Sequence, residues 1–258
     1  MKKKLYNCIM HSSSLINLER FFKIYFNKFN KPTILDYGGA SHDNKSTALT
    51  ILKKYYTNYK YLSLDVAPNN DDKYDSTRKN VDIIIQDPYQ IKEIEKESVD
   101  IIVCTSVFEH IEFFWLTYLE ILKLLKPKGI FYLNAPSNGD FHRWPVDCWR
   151  FYPDSANALV NWGRYNKFKS VCLESFTSKQ ILECGWNDYV SVILKDENFA
   201  NDFSNKIISE YNDYYNGMDK DGKLSNFLNK SEDQNNWGYK LWYKLRKKKD
   251  KKKYKLDY

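Results

Sequence analysis

The sequence predicts an α/β fold: a doubly wound, mostly parallel seven-stranded sheet with helices on both faces. Three observations predict it. Short apolar runs of strand length alternate with stretches of helical period through the first 195 residues. The runs are continuously apolar, as strands covered on both faces require. Five of them end on polar residues, Asp36, Asp65, Asp87, Thr105-Ser106 and Asn134. In an open parallel sheet, right-handed crossovers bring such ends to a single edge, the edge where ligands bind.

Taken in order, LINLERFFKIYFNKF (15–29) spaces its apolar residues for a helix, with serines at 12–14 as caps and Lys31-Pro32 as the stop. TILDY (33–37) reads as the first strand and STALTILKKYY (46–56) as a helix with a Ser or Thr cap. YKYLSLDV (59–66), VDIIIQD (81–87) and VDIIVCTS (99–106) are the next three strands. FFWLTYLEILKLLKP (113–127) is an amphipathic helix stopped by Pro127, and GIFYLNAP (129–136) is a fifth strand entered through Gly129. FKSVCLESF (168–176) and YVSVILK (189–195) are weaker strands that complete seven. Residues 1–195 thus form one domain with an N-terminal helix. The stretch 196–244 reads as a polar, helical extension, its WGYKLWYKL segment docking by Trp237 and Trp242, and 245–258 is a basic tail.

Composition excludes several functions. The chain has 258 residues and is 43% hydrophobic, enough for a real core. Aromatics reach 17% in a chain also rich in Asn, Lys and Ile, a compositional bias, so no single surface Tyr is given a role. The net charge of +7 resides mostly in the tail LRKKKDKKKYKLDY, where eight Lys/Arg face two Asp. A nearly neutral body with a basic end is not a phosphate-binding domain, so no nucleic-acid partner is expected. The tail is a solvated end or a weak electrostatic contact with an anionic surface. Five cysteines, Cys8, Cys104, Cys148, Cys172 and Cys184, show no C-x-x-C spacing. That argues for a reducing compartment, without a disulfide framework or a zinc site. The apolar run after the basic start is too short for a signal peptide, and no run approaches a transmembrane span, so a cytoplasmic protein is expected.

The stretch ILDYGGASHD (34–43) asks whether a ligand is held after the first strand. Gly38 and Gly39 allow a sharp turn and a close backbone approach. The later glycines of a dinucleotide loop are replaced by Ala40 and His42, and no Gly-Lys-Ser/Thr follows. Asp65, 29 positions after Asp36 and at the end of the second strand, is placed to accept hydrogen bonds from a ribose diol and to repel a 2′-phosphate. An adenosine-containing ligand follows from that pair.

With those residues in place, the chain resembles the class I S-adenosylmethionine-dependent methyltransferases, which have a Rossmann-like sheet. ILDYGGAS resembles their first motif, YLSLDV their ribose-binding strand and IIIQDPY their adenine-side motif. VDIIVCTSVFEHI and LLKPKGIFYLNAPS resemble their fourth and fifth strands. MHSSSL and DFHRWPVDCWRFYPDSANAL extend the resemblance to methyltransferase-domain proteins of surface-polysaccharide (glycan) synthesis. The resemblance implies S-adenosyl-L-methionine as cofactor, with Asp36 and Gly38 at its methionine end beside Tyr37 and Gly39. It implies Asp65 at the ribose, Asp87 and Pro88 at the adenine, and Thr105 and Ser106 beneath the sulfonium.

Transfer from a sulfonium needs no metal, and none is expected; an acceptor lone pair must be aligned behind the methyl group. A hydroxyl acceptor must also lose its proton. Glu109, His110, His142 and Asp147 are the candidate bases, since His works best near neutral pH. Glu109-His110 have a plainer alternative as caps of the helix that follows, and Asp147 with Arg150 as a structural ion pair. Arg143 and Arg150 can meet a carboxylate or phosphate, Trp144 and Trp149 a sugar face, with Trp149 and Phe151 alternatively in the core. His11 joins the site if the N-terminal segment folds over it. The expected acceptor is a sugar, nucleotide-sugar or glycan hydroxyl, with N- or O-methylation of another small metabolite as the alternative. A nucleic-acid methyltransferase lacks its N/D-P-P-Y/W-like motif here, and a nicotinamide enzyme lacks its glycines and a Tyr-Lys set. A module that binds the cofactor without transfer is a further class. Oligomeric state is left open by the sequence.

Overall fold

The computed structural model describes residues 12–39, 48–67, 81–181, 186–229 and 232. Their strands are β1 (Thr33–Tyr37), β2 (Lys60–Val66), β3 (Ile83–Ile85), β4 (Val99–Thr105), β5 (Leu125–Pro136), β6 (Val171–Ser178), β7 (Asp188–Leu194), β8 (Tyr214–Asp219) and β9 (Leu224–Ser225). They form one sheet in the order β3-β2-β1-β4-β5-β7-β6-β8-β9. The first five strands are mutually parallel, β7 lies antiparallel between β5 and β6, and β8 and β9 continue antiparallel from β6. The predicted doubly wound sheet is therefore present, with nine strands in place of seven.

The two additional strands come from the stretch expected to be a helical extension. Among its described residues the helical content is a 3-10 turn at Glu197–Asp202 and the four-residue α5 (Ile207–Glu210). The β8 run, YYNGMD, has neither a continuous apolar character nor clean alternation. It becomes a strand because β6 offers it a partner, with Glu174 opposite Asp219 and Ser175 opposite Met218. Tertiary pairing overrides local preference here. Residues 1–226 are one compact unit and 227–258 another. The expected terminal helix at 237–245, the basic tail and His11 lie outside the described residues.

Helices α1 (Ser12–Tyr25) and α2 (Ala48–Tyr55) cover one face with α5; α3 (Phe114–Leu124) and α4 (Asp154–Tyr165) cover the other. Alternation along each strand feeds both cores: Ile34, Ile101, Val103, Ile130 and Tyr132 point to the α1 side, and Leu35, Ile102, Cys104, Phe131 and Leu133 to the α3 side. On α1, Leu18, Phe21, Phe22 and Tyr25 recur at helical spacing and are fully buried. Each such side chain contributes about 1.5–3 kcal/mol.

The serines of α1 do not lie outside the helix as caps. Ser13 and Ser14 are buried, and Ser14 Oγ donates to Asn134 Oδ1 at 2.8 Å and Asp188 Oδ2 at 3.3 Å, tying the start of α1 to the ends of β5 and β7. Helix α3 ends at Leu124, before Pro127, because Leu125 already pairs with Val99 of β4. Among the described residues no helix is long and apolar enough to cross a membrane.

Candidate active site

The carboxyl ends of β1 to β5 form one rim, and two groups of predicted residues meet along it. The first lies over β1, β2, β3 and β4. After β1 the chain turns at Gly38, whose φ of +80° is open only to glycine at low cost. The amides of Gly38 and Gly39 both donate to Leu64 O, at 2.8 and 3.1 Å. A Cβ on Gly38 would fall 2.2 Å from Val107 Cγ2, so the loop is pressed between β2 and the turn that follows β4.

Asp36 is buried and its Oδ2 accepts from Tyr61 Oη at 2.8 Å. Burial raises its carboxyl to about 6, against the hydrogen bond from Tyr61 and with added repulsion from Asp65. Asp65, on the adjacent strand, is half-buried and accepts from the Val66 amide at 2.7 Å. Asp87 is exposed just past β3 and accepts from the Tyr89 amide at 2.7 Å, with Pro88 half-buried beside it. Three carboxylates thus follow one another over neighbouring strand ends. Thr105 ends β4 with its Oγ1 buried and without a hydrogen-bond partner among the described residues. Ser106 follows at φ 55° and donates its amide to Asn134 O at 2.9 Å. Tyr37 is buried in the α3-side core, so its ring supports the loop from below.

The second group lies over β4 and β5. Glu109 and His110 close a 3-10 turn at Phe108–His110 and do not cap α3, which begins at Phe114. His142 comes from the loop after β5. One donor atom from each of Glu109, His110 and His142 lies within 4.8 Å of the others. The two imidazoles meet edge to face with centroids 5.0 Å apart. His110 Nδ1 faces Val146 O at 2.5 Å and His142 Nδ1 faces Asp140 O at 3.0 Å, so both rings are oriented by backbone carbonyls, and His110 Nε2 lies 3.7 Å from Glu109 Oε1. Glu109 is 1% exposed, and neither carboxylate oxygen has a hydrogen-bond partner among the described residues. Burial raises it to about 8; Arg150 opposes this, while Asp188 and Asp147 add to it. Burial likewise pushes His110 below its ordinary value.

Asp147 and Arg150 form the ion pair that was the plainer alternative. Arg150 grips Asp147 with two parallel bonds, 2.5 and 2.8 Å long, and also donates to Trp149 O and Asp140 O. Four of its five N–H groups are thereby used within the loop. Burial would raise Asp147, but bonds from Arg150 and the His142 amide prevail and hold it at about 2. It therefore shapes the loop and cannot act as a base near neutrality, and Arg150 has little left for a substrate. Arg143 is exposed and, among the described residues, engages only through Nε, on Pro145 O at 3.1 Å. Trp144 is half-buried, Trp149 lies at the surface with Nε1 on Ile111 O at 3.1 Å, and Phe151 is in the core.

Some site residues carried no readable signal. Tyr61, which holds Asp36, looks like an ordinary strand aromatic. Trp186 precedes β7, and its ring lies 5.1 Å from that of His142 and 5.8 Å from the Arg150 guanidinium. It covers Gly139, where a Cβ would fall 2.0 Å from the indole. Only the antiparallel return of β7 beside β5 brings it there.

Residues 44–133, spanning α2 to β5, match a family model described as a methyltransferase domain. That match spans 90 of the chain's 258 residues. The cofactor is S-adenosylmethionine. The residues fit that group: a half-buried acid for a diol at Asp65 and, among the described residues, a buried hydroxyl without a partner at Thr105 flank the Gly38 turn on neighbouring strand ends. Several solved structures resemble this chain in fold. The CurJ carbon methyltransferase is 11% identical at a TM-score of 0.49 over 71% of this chain, which spans 54% of that protein. A SAM-dependent methyltransferase from Archaeoglobus fulgidus is 13% identical at 0.48, over 70% of this chain and 94% of that one. The Burkholderia thailandensis 1,6-didemethyltoxoflavin-N1-methyltransferase, solved with S-adenosylhomocysteine, is 11% identical at 0.46, over 72% and 79%. At such identities nothing about the acceptor passes to this chain. No curated protein matches it in sequence.

Proposed function

We propose that the chain transfers the methyl group of S-adenosylmethionine to a hydroxyl of a sugar or glycan. The observation that carries the reading is the convergence of His110 and His142, each fixed through Nδ1, beside the strand ends that suit the cofactor. Methylating an oxygen requires removal of a proton as the O–C bond forms and the C–S bond breaks, and an imidazole Nε2 is suited to take it. Asp65 would hold the ribose, Asp87 and Pro88 the adenine side, the Gly38-Gly39 turn the methionine end and Thr105 with Ser106 the floor. The cofactor supplies an electrophilic methyl group; alignment of the acceptor does most of the remaining work.

Support for a sugar comes from the mouth of the site. Trp186 stands against His142, and Phe141 and Tyr152 are 75% and 55% exposed on the same loop. Aromatic faces of this kind stack on pyranose rings, and Arg143 leaves N–H donors for a phosphate or carboxylate on the acceptor. The resemblance of the 140–159 stretch to glycan-synthesis proteins points the same way.

The test is incubation with labelled cofactor and a panel of sugar nucleotides, glycans and small amines, with the products identified. Label on a sugar oxygen is expected. Label only on nitrogen or carbon would overturn the assignment. His142→Ala is expected to cut turnover by about 10²-fold or more and to leave the thermal shift by S-adenosylhomocysteine intact, whereas Asp65→Ala should abolish that shift.

A further inference from the structure

We propose that Glu109, His110 and His142 form a binding site for one divalent first-row transition-metal ion, with coordination positions left open for hydroxyl groups of the acceptor. Its role rests on the transfer to a hydroxyl proposed above and replaces the imidazole base of that reading with a metal-bound hydroxyl; the site itself depends on neither.

Three features carry it. The first is donor geometry. Glu109 Oε1 and His110 Nε2 are 3.7 Å apart, and a donor of His142 lies within 4.8 Å of both. Two ligands of one ion at bond lengths of about 2.0–2.2 Å sit roughly 3–4 Å from each other, so small side-chain shifts close the set. The second is orientation. Metal-binding histidines characteristically commit one ring nitrogen to a carbonyl or carboxylate and turn the other to the ion. His110 commits Nδ1 to Val146 O and turns Nε2 towards Glu109; His142 commits Nδ1 to Asp140 O, with Asp147 Oδ2 3.5 Å from the same nitrogen. The third is an unmet need. Glu109 is 1% exposed and both its oxygens lack a hydrogen-bond partner among the described residues. A buried carboxyl without partners is costly, and a cation held with two imidazoles removes that cost.

Two imidazoles and one carboxylate favour Zn²⁺, Mn²⁺, Fe²⁺ or Co²⁺ over Mg²⁺, which prefers oxygen ligands and water. Three protein ligands leave positions for small molecules, as in catalytic sites. A hydroxyl bound there is acidified by the ion and releases its proton to solvent, with the imidazoles as ligands in place of proton acceptors. Two neighbouring hydroxyls of a sugar suit two open positions.

The full-length, untagged chain, stripped with chelator, is titrated with Co²⁺ and followed by visible d–d absorption. Saturation near about one ion per chain is expected, with displacement by Zn²⁺. Affinity should fall by at least about tenfold in His142→Ala, whose half-exposed position leaves folding intact by circular dichroism, and in Glu109→Gln. No saturable Co²⁺ spectrum, or one unchanged in His142→Ala, overturns the site. S-adenosylhomocysteine binding is measured in parallel. Binding of that compound without Co²⁺ uptake sinks the metal site alone. His142-dependent Co²⁺ uptake with no label on any acceptor keeps the site and sinks the function.

Discussion

At the scale of single residues, Asp36 is an acid whose burial works against its charge. Its carboxyl is out of water, held by Tyr61, repelled by Asp65 and raised from 3.8 to about 6. A folded-state value above the unfolded one means that protonation favours the fold. The associated stability is complete below pH 3.8 and lost as the pH climbs through 6. A rise of that size corresponds to roughly 3 kcal/mol. Asp36→Asn keeps an oxygen for Tyr61 and removes the buried charge. It should raise Tm at pH 7.5 by several degrees and flatten the Tm profile between about pH 4 and 6. Binding of S-adenosylhomocysteine should weaken at the same time. Calorimetry across pH checks the first effect and titration the second; a Tm unchanged at neutral pH would show that the charge costs the fold nothing. Residue-level reading from sequence went far with the acids, because strand ends advertise them. It failed for Tyr61, since nothing in a strand aromatic declares that its hydroxyl meets the neighbouring strand's acid.

At the scale of elements, Glu174 joins three pieces that sequence keeps far apart. From β6 it accepts from Tyr25 Oη of α1 at 2.5 Å and from the amides of Ile207 and Ile208, at 2.9 and 3.0 Å, at the start of α5. Burial raises its carboxyl, and those three bonds oppose the rise. Glu174→Ala would strand a hydroxyl and two amides in the interior. At about 1–3 kcal/mol for each group left unsatisfied, the variant should lose several degrees of Tm and show early proteolysis in the 197–210 segment. Intact resistance to protease there would refute the role. The strands β1, β2, β4 and β5 were legible as elements because each is an apolar run with a polar end. Strand β8 was not, because its pairing with β6 decides its state. The meeting of His110 with His142 was half legible: both follow predicted strands, but only the adjacency of β4 and β5 puts them together. The pairing of Asp147 with Arg150 was readable from their spacing, and its geometry removed both from the list of chemical actors.

For the molecule as a whole, charge and topology divide the work. The body is nearly neutral, and most of the net positive charge belongs to a tail outside the described residues. The parallel half of the sheet, β3-β2-β1-β4-β5, carries every predicted site residue among those described except His142, Arg143, Trp144, Asp147, Trp149 and Arg150, which follow β5. The antiparallel half lends support: Trp186 leads into β7, and Asp188 anchors Ser14 of α1.

The hairpin of β8 and β9 has a practical consequence for anyone cutting the gene. Without it, the flank of β6 would present bare main-chain donors and acceptors to other molecules, an invitation to clump. A fragment stopping at Lys195 should come out of cells as inclusion bodies, whereas one stopping at Asn226 should stay in the supernatant and melt cooperatively. Light scattering on the two fragments decides it, and a well-behaved shorter fragment would mean that the hairpin is ornament.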